Sequence, residues 1–283
     1  MNILITGCNG QLGNEMQLLE KKNLQHTYFN TDVQELDITN QDAIEAFLDE
    51  HAIDGGIVNC AAFTAVDNAE VNEALCQKLN AEAPAFLAHA IERRGGWMIH
   101  ISTDYVFDGT NCTPYTEDED TCPNSVYGRT KLVGELNVQK LCQKSMIIRT
   151  AWLYSSFGNN FVKTMVRLGR ERQELGVIFD QIGTPTYARD LAVAIFSAIN
   201  KGIVPGVYHF SNEGVTSWYD FTKAIHRLAG IVTCKVRPLH TSEYPTPAAR
   251  PHYSVLDKTK IKQTYGIEIP YWEDSLAECI KKL

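Results

Sequence analysis

The chain has 283 residues, 44% of them hydrophobic and 21% charged, with a formal net charge of −8 at pH 7. That composition excludes a disordered or low-complexity class, and no apolar run reaches the roughly 18 residues that a membrane span needs. Lys and Arg gather into no long tract, which argues against a nucleic-acid partner bound through phosphate neutralisation but leaves room for a small anionic ligand. The opening MNILITG is too short an apolar run, and lacks the basic start, for a secretory signal. Cys8, Cys60, Cys76, Cys112, Cys122, Cys142, Cys234 and Cys279 form no C-x-x-C pair, and no histidines stand at zinc-ligand spacing. Free thiols in a cytoplasmic protein, and no metal site, are therefore expected.

Short apolar runs at Asn2–Thr6, Thr27–Thr31, Gly55–Cys60, Trp97–Ser102 and Met146–Thr150 read as strands. Helical periodicity separates them, most clearly where Leu79, Ala83, Phe86, Leu87, Ala90 and Ile91 mark one face. Strand–helix alternation with continuously apolar strands predicts an α/β fold, a doubly wound parallel sheet of Rossmann type. Residues 1–150 are expected to form the dinucleotide-binding domain. Residues 151–283 are expected to form mainly a smaller substrate-binding domain, with 177–201 a candidate to pack back on the first. In that part Asn159–Glu174 and Arg189–Lys201 look helical, Val177–Phe179 and Val207–Phe210 strand-like, and helices are expected near Ser217–Leu228 and from Trp272. A proline-rich loop, Tyr244 to Pro251, lies between them.

The first strand runs into Thr6-Gly7-Cys8-Asn9-Gly10-Gln11-Leu12-Gly13 and a helix from Asn14. The G-x-x-G-x-x-G spacing is a variant of the dinucleotide fingerprint: glycines permit a tight turn and close backbone approach, and the helix N-terminus faces the phosphates. Asp32, at the end of the second strand, suits a ribose hydroxyl or is a plain turn aspartate. No arginine follows Gly7 or Asp32 to receive a 2′-phosphate, so NADH and NADPH both stay open as cofactors. Asp37 and Ile38 are candidates to flank the adenine, and Asn59-Cys60-Ala61-Ala62 offers small side chains where a cofactor passes close to the backbone.

Downstream of Ile101-Ser102-Thr103-Asp104 stands Tyr127-Gly128-Arg129-Thr130-Lys131. On a helix, positions i and i+4 share a face, and a lysine beside a phenol favours the phenolate. Such a pair can pass a proton to a carbonyl as hydride arrives. Thr103, at the carboxyl end of a strand, lies where ligands bind in these sheets. Alone, Y-x₃-K is one aromatic and one solvated lysine on a helix. Joined to the glycine turn and the Ser-Thr strand end, its order resembles the extended short-chain dehydrogenase/reductase superfamily.

More narrowly, Ala61-Ala62-Phe63-Thr64-Ala65-Val66-Asp67, Ser102-Thr103-Asp104-Tyr105-Val106-Phe107-Asp108-Gly109, Arg149-Thr150-Ala151-Trp152-Leu153-Tyr154 and Tyr244-Pro245-Thr246-Pro247-Ala248-Ala249-Arg250-Pro251 resemble the dTDP-4-dehydrorhamnose reductase family. The resemblance implies NAD(P)H-dependent reduction of the 4-keto group of dTDP-4-dehydro-β-L-rhamnose. Tyr127 would be the proton donor, Lys131 would tune it and hold the nicotinamide ribose, and Thr103 would polarise the ketone. Gly7, Asn9, Gly10, Gln11, Leu12, Gly13, Asp32, Asp37, Ile38, Ala61, Ala62, Phe63 and Thr64 would line the cofactor. Val66, Asp104, Trp152 and Arg250 would meet the sugar nucleotide, although Trp152 also reads as core and Arg250 as an ordinary loop charge.

Arg167, Arg170 and Arg172 read as a solvated helix face, and Glu117 to Asp120 as an exposed loop. Some members of the resembled family dimerise around Mg²⁺ through a glutamate of the first helix and acidic groups after a Pro-Thr segment. Glu15 is present, but Arg189 stands where an acid would follow Pro185-Thr186. A monomer or weak homodimer without a metal bridge is expected. Two other readings stay open: a dehydratase or epimerase of the same fold, and a non-catalytic binding subunit resembling the regulatory subunit of methionine adenosyltransferase. Against the first, Asp104-Tyr105 lacks the second carboxylate that a dehydratase places after its threonine.

Overall fold

A computed structural model describes all residues, Met1–Leu283. Six strands form one parallel sheet in the order Gly206–Phe210, Ser145–Thr150, Trp97–Thr103, Gly56–Asn59, Asn2–Thr6, Thr27–Thr31. The order reverses between Asn2–Thr6 and Gly56–Asn59, so a crevice opens outside their carboxyl ends, the place where open α/β sheets bind ligands.

The first strand shows why both faces are covered. Ile3 and Ile5 point to one layer, with Met16 of helix Gln11–Glu20, Leu191 and Ile195 of helix Ala188–Lys201, and Ile261 of helix Thr259–Tyr265. Leu4 points to the other, with Ile44 and Leu48 of Gln41–Glu50, Leu87 and Ile91 of Ala83–Glu92, and Val138 of Val126–Leu141. Alternating side chains on a strand demand this two-sided burial. No helix is long and apolar enough to cross a membrane, and all eight cysteines are free thiols.

The sheet is completed from beyond residue 150: Gly206–Phe210 is its sixth strand, and Ala188–Lys201 packs on Gln11–Glu20. A second core gathers helices Phe161–Glu171, Trp218–Leu228 and Trp272–Ile280 around the parallel pair Glu174–Ile178 and Lys235–Leu239. The helix expected to reach Glu174 stops at Glu171, because Arg172 turns extended and Glu174 starts a strand. Several elements have no counterpart in the periodicity, among them the two-residue strands Leu153–Tyr154, Ile182–Gly183, Thr186–Tyr187 and Thr216–Ser217. Lys235–Leu239 contains Pro238, which a two-stranded ribbon tolerates on its free edge, and Thr259–Tyr265 is too short to show a stripe.

Candidate active site

The glycine turn is built by close approach. Gly7 has φ +66°, and a Cβ there would lie 2.7 Å from the Ala61 nitrogen; one on Gly13 would lie 2.3 Å from the Gly7 carbonyl oxygen. The turn therefore seats directly on the Cys60-Ala61 backbone at the crevice. Gly10 caps the first helix with no side-chain hydrogen bond, and the first helical turn carries no acid. Its free N–H groups are left for an anion. Asp32 accepts from the Asn9 N–H at 3.1 Å, and Asp37 accepts from Thr39, which holds its carboxyl below the usual range.

A cleft of about 860 Å³ runs from this turn across the strand ends. Gly7, Gly10, Gln11, Leu12, Gly13, Asp32, Asp37, Ile38, Ala61, Ala62 and Thr64 line one end, and Val66, Thr103, Asp104, Tyr127, Lys131 and Trp152 line the other. Its length, phosphate-facing helix start and acidic residue at the second strand fit a dinucleotide. Asn9 and Phe63 lie outside the lining: Asn9 braces Asp32, and both backbone groups of Phe63 are held by Asn80.

Thr103 ends its strand and caps the turn Asp104–Val106, accepting from the Tyr105 N–H at 3.2 Å and donating to Asp104 Oδ1 at 3.0 Å. Helix Val126–Leu141 starts under the Ser125 cap. A Cβ on Gly128 would lie 2.2 Å from the Tyr105 carbonyl oxygen, so glycine lets the helix close on that turn and brings Tyr127 to the strand end. Tyr127 packs edge-on against Tyr105, with ring centroids 5.5 Å apart.

Lys131 Nζ donates to the Ile101 carbonyl at 2.6 Å. Burial lowers it to about 8, against the pull of Glu135. Burial likewise pushes the Tyr127 hydroxyl well up, partly opposed by the Thr103 hydroxyl. The expected lowering of Tyr127 by Lys131 is not found: burial dominates, and the opposing group is Thr103. Asp104 is raised to about 6, first by burial, and its Oδ2 has no partner.

The dTDP-4-dehydrorhamnose reductase of Aggregatibacter actinomycetemcomitans is 41% identical over 286 residues, covering 97% of this chain and 96% of that protein. A family model described as the RmlD substrate binding domain matches residues 1–283. The chain belongs to the dTDP-4-dehydrorhamnose reductase family. The crystal structure of a family member from Clostridium acetobutylicum shares 47% identity and a TM-score of 0.95, covering 99% of both chains. One from Bacillus anthracis, solved in complex with NADP, shares 39% identity and a TM-score of 0.95 over 100% of this chain and 99% of that one.

In the same cleft, Trp152 holds φ +48°, a conformation costly for a bulky residue. Its ring stacks on Trp218 with centroids 3.4 Å apart and planes 10° apart. Trp218 lines the cleft and was not foreseen: at the start of its helix it reads as one more aromatic in an amphipathic stripe. Asn160, also in the lining, caps helix Phe161–Glu171 and reaches Gln11 at 2.9 Å. Its signal, an Asn three residues before Lys163, is that of any helix cap.

Arg250 does not line this cleft. Its Nη2 donates to Asp67 at 2.7 Å, and with Ala248 N–H to the same carboxylate it ties the proline-rich loop to helix Val66–Ala69. The Arg167, Arg170 and Arg172 face is exposed, whereas Glu117 is half-buried and accepts from the His209 N–H at 3.0 Å. Glu15 is fully buried and accepts from Ser155 at 2.7 Å.

Proposed function

We propose that this chain reduces the 4-keto group of dTDP-4-dehydro-β-L-rhamnose to give dTDP-L-rhamnose, with Tyr127 as proton donor. The observation that carries the reading is the meeting of Thr103, Tyr127 and Lys131 in the cleft that the glycine turn also lines. NADPH or NADH, when bound, supplies hydride to the carbonyl carbon. Gly7, Gly10, Gln11, Leu12 and Gly13 would hold its diphosphate by backbone approach and helix N–H groups, Asp32 its adenosine ribose, and Asp37 and Ile38 the adenine edge.

At the other end the Thr103 hydroxyl, whose proton otherwise goes to Asp104, would turn to donate to the carbonyl oxygen, and Tyr127 would give that oxygen its proton. A tyrosine pushed up by burial stays protonated until the oxygen becomes basic, which suits a donor rather than a base. Lys131, on the same helix face one turn on, would hold the nicotinamide ribose and restore the proton balance of Tyr127. Val66, Asp104 and Trp152, with Trp218 behind it, would grip the sugar. Arg250 would act here through Asp67, by tying the proline-rich loop to helix Val66–Ala69.

Tyr105 after Asp104 disfavours a dehydratase, because no second carboxylate follows the threonine. The same reading expects no Mg²⁺-bridged dimer, since Arg189 would repel the ion and Glu15 is engaged by Ser155. Counting protomers with and without chelator checks that point; a metal-dependent dimer would overturn it.

The deciding experiment follows the loss of NAD(P)H absorbance with purified protein and freshly made dTDP-4-dehydro-6-deoxy-L-mannose, with Tyr127→Phe alongside. Consumption by wild type and its collapse in the variant supports the reading. Cofactor binding without consumption would point to another keto-sugar or to the binding-subunit alternative.

A further inference from the structure

Behind Lys131 a chain of polar groups runs into the core, and its hydrogen-bond directions are fixed from the far end. Asn59, fully buried, closes its strand. Its Oδ1 lies 3.2 Å from the Ala61 backbone nitrogen, a group that can only donate, and 2.6 Å from Thr6 Oγ1. Oδ1 therefore faces those donors, and the amide nitrogen faces the other way. That Nδ2 lies 3.0 Å from His100 Nδ1. An amide nitrogen donates and never accepts, so Nδ1 must accept.

His100 is fully buried, and burial strongly disfavours its charged form. A neutral imidazole carries one proton. With Nδ1 accepting, that proton is on Nε2, which lies 3.3 Å from Lys131 Nζ. An ammonium at Nζ would set donor against donor. An uncharged amine accepts from Nε2–H and still donates to Ile101.

We propose that Asn59 and His100 are positioning residues for Lys131: Asn59 fixes the imidazole proton on Nε2, and this N–H favours the uncharged amine over the ammonium. The inference rests on the reductase reading only for its catalytic meaning, because the geometry concerns the protein alone. Other groups around Lys131 do not supply the same bias. Glu135 on its own helix favours the ammonium, but its carboxylate is taken by Arg149, at 2.8 Å, and by Ser102. Cys76, from helix Glu73–Gln77, is kept a neutral thiol by burial, and Tyr127 is kept a neutral phenol.

The consequence is a lysine that, having taken a proton from solvent, gives it up readily to the Tyr127 phenolate left by turnover and returns to the amine. The test uses the full chain without cofactor or substrate. Nitrogen NMR of ¹⁵N-histidine-labelled wild type, assigned against His100→Phe, reads which ring nitrogen carries the proton. Lysine-labelled protein, assigned against Lys131→Arg, reads the Lys131 titration.

The expected result is a proton on Nε2 and a Lys131 titration about one pH unit higher in His100→Phe, a roughly tenfold smaller amine fraction, as loss of one hydrogen bond to the neutral form implies. Asn59→Asp, whose carboxylate accepts from Nδ1–H and so moves the proton off Nε2, shifts it further in the same direction. A wild-type proton on Nδ1, or an unchanged Lys131 titration in both variants, would overturn the proposal. If His100→Phe fails to fold, the wild-type tautomer and Asn59→Asp still decide it. Failure of the reductase reading would appear separately, as absence of NAD(P)H consumption by wild type, and would leave the NMR result standing.

Discussion

At the glycine end of the cleft the wall is backbone. Gly7 and Gly13 press on Ala61, Cys60 and Cys8 so closely that a methyl group has no room, and an uncapped helix start faces the space. At the sugar end the wall is side chains delivered by separate elements: Asp104 from a turn, Tyr127 and Lys131 from a helix, Trp152 from a strained loop residue and Trp218 from a helix of the second core. A backbone wall suits what all dinucleotides share, whereas a side-chain wall can vary with a substrate. Backbone walls are written in a short stretch of glycines; side-chain walls are assembled by the fold.

Substitutions at the two ends should therefore fail differently. The largest effect is expected for Tyr127→Phe, a loss of turnover of about 10²–10⁴-fold, the range for a positioned proton donor. Circular dichroism and cofactor affinity should stay unchanged. Equal activity in the variant would remove Tyr127 from its role and with it the division of labour along the cleft.

Asp104→Asn sharpens the comparison through pH. A carboxyl raised in the folded state to about 6 contributes stability that is fully present below its unfolded value near 4 and is lost as pH rises through about 6. The loss is on the order of 3 kcal/mol. An amide at this position does not titrate and would remove that slope, so the variant should gain on wild type between pH 4 and 7 in denaturant titrations. A parallel pH dependence in both proteins would contradict it.

Gly13→Ala forces a Cβ against the Gly7 carbonyl and Cys8. It should cost about 1–3 kcal/mol of stability and weaken NAD(P)H binding measured by cofactor fluorescence. Substrate handling should be spared in whatever enzyme still loads with cofactor. Trp218→Leu should do the reverse, raising KM for the sugar nucleotide about tenfold, near the upper part of the range for an aromatic stack, at unchanged cofactor affinity. A cofactor defect in Trp218→Leu would mean that the two ends are one unit.

The smallest effect is expected for Arg250→Ala. Its partner Asp67 is 41% exposed at the side chain, so the ion pair should be worth under about 1 kcal/mol. Thermal denaturation should change little, with a modest KM effect from a looser loop.

The cofactor end was legible because its signals are local. Gly7, Gly10 and Gly13 stand within one turn, and the strands Asn2–Thr6 and Thr27–Thr31 fall at the residues their apolar runs mark. Thr103, Tyr127 and Lys131 were legible as a spaced pattern, but their setting was not. That Lys131 bonds Ile101 and faces His100 depends on the approach of a helix to a strand, and no spacing encodes it. Arg250 too has a setting that no spacing encodes. A lone arginine between prolines suggests an anion clamp, yet Asp67, far earlier in the chain, takes its guanidinium.

By itself the sequence determined the parallel sheet, the glycine turn and the spaced pattern of Thr103, Tyr127 and Lys131. Local periodicity and backbone freedom are carried by neighbouring residues. Tertiary structure decided that Gly206–Phe210 completes the sheet, that Trp218 backs Trp152, and which hydrogen bonds surround Lys131. Each of these depends on burial and close approach between segments far apart in the chain, and burial, not the lysine that spacing suggests, dominates the shift of Tyr127.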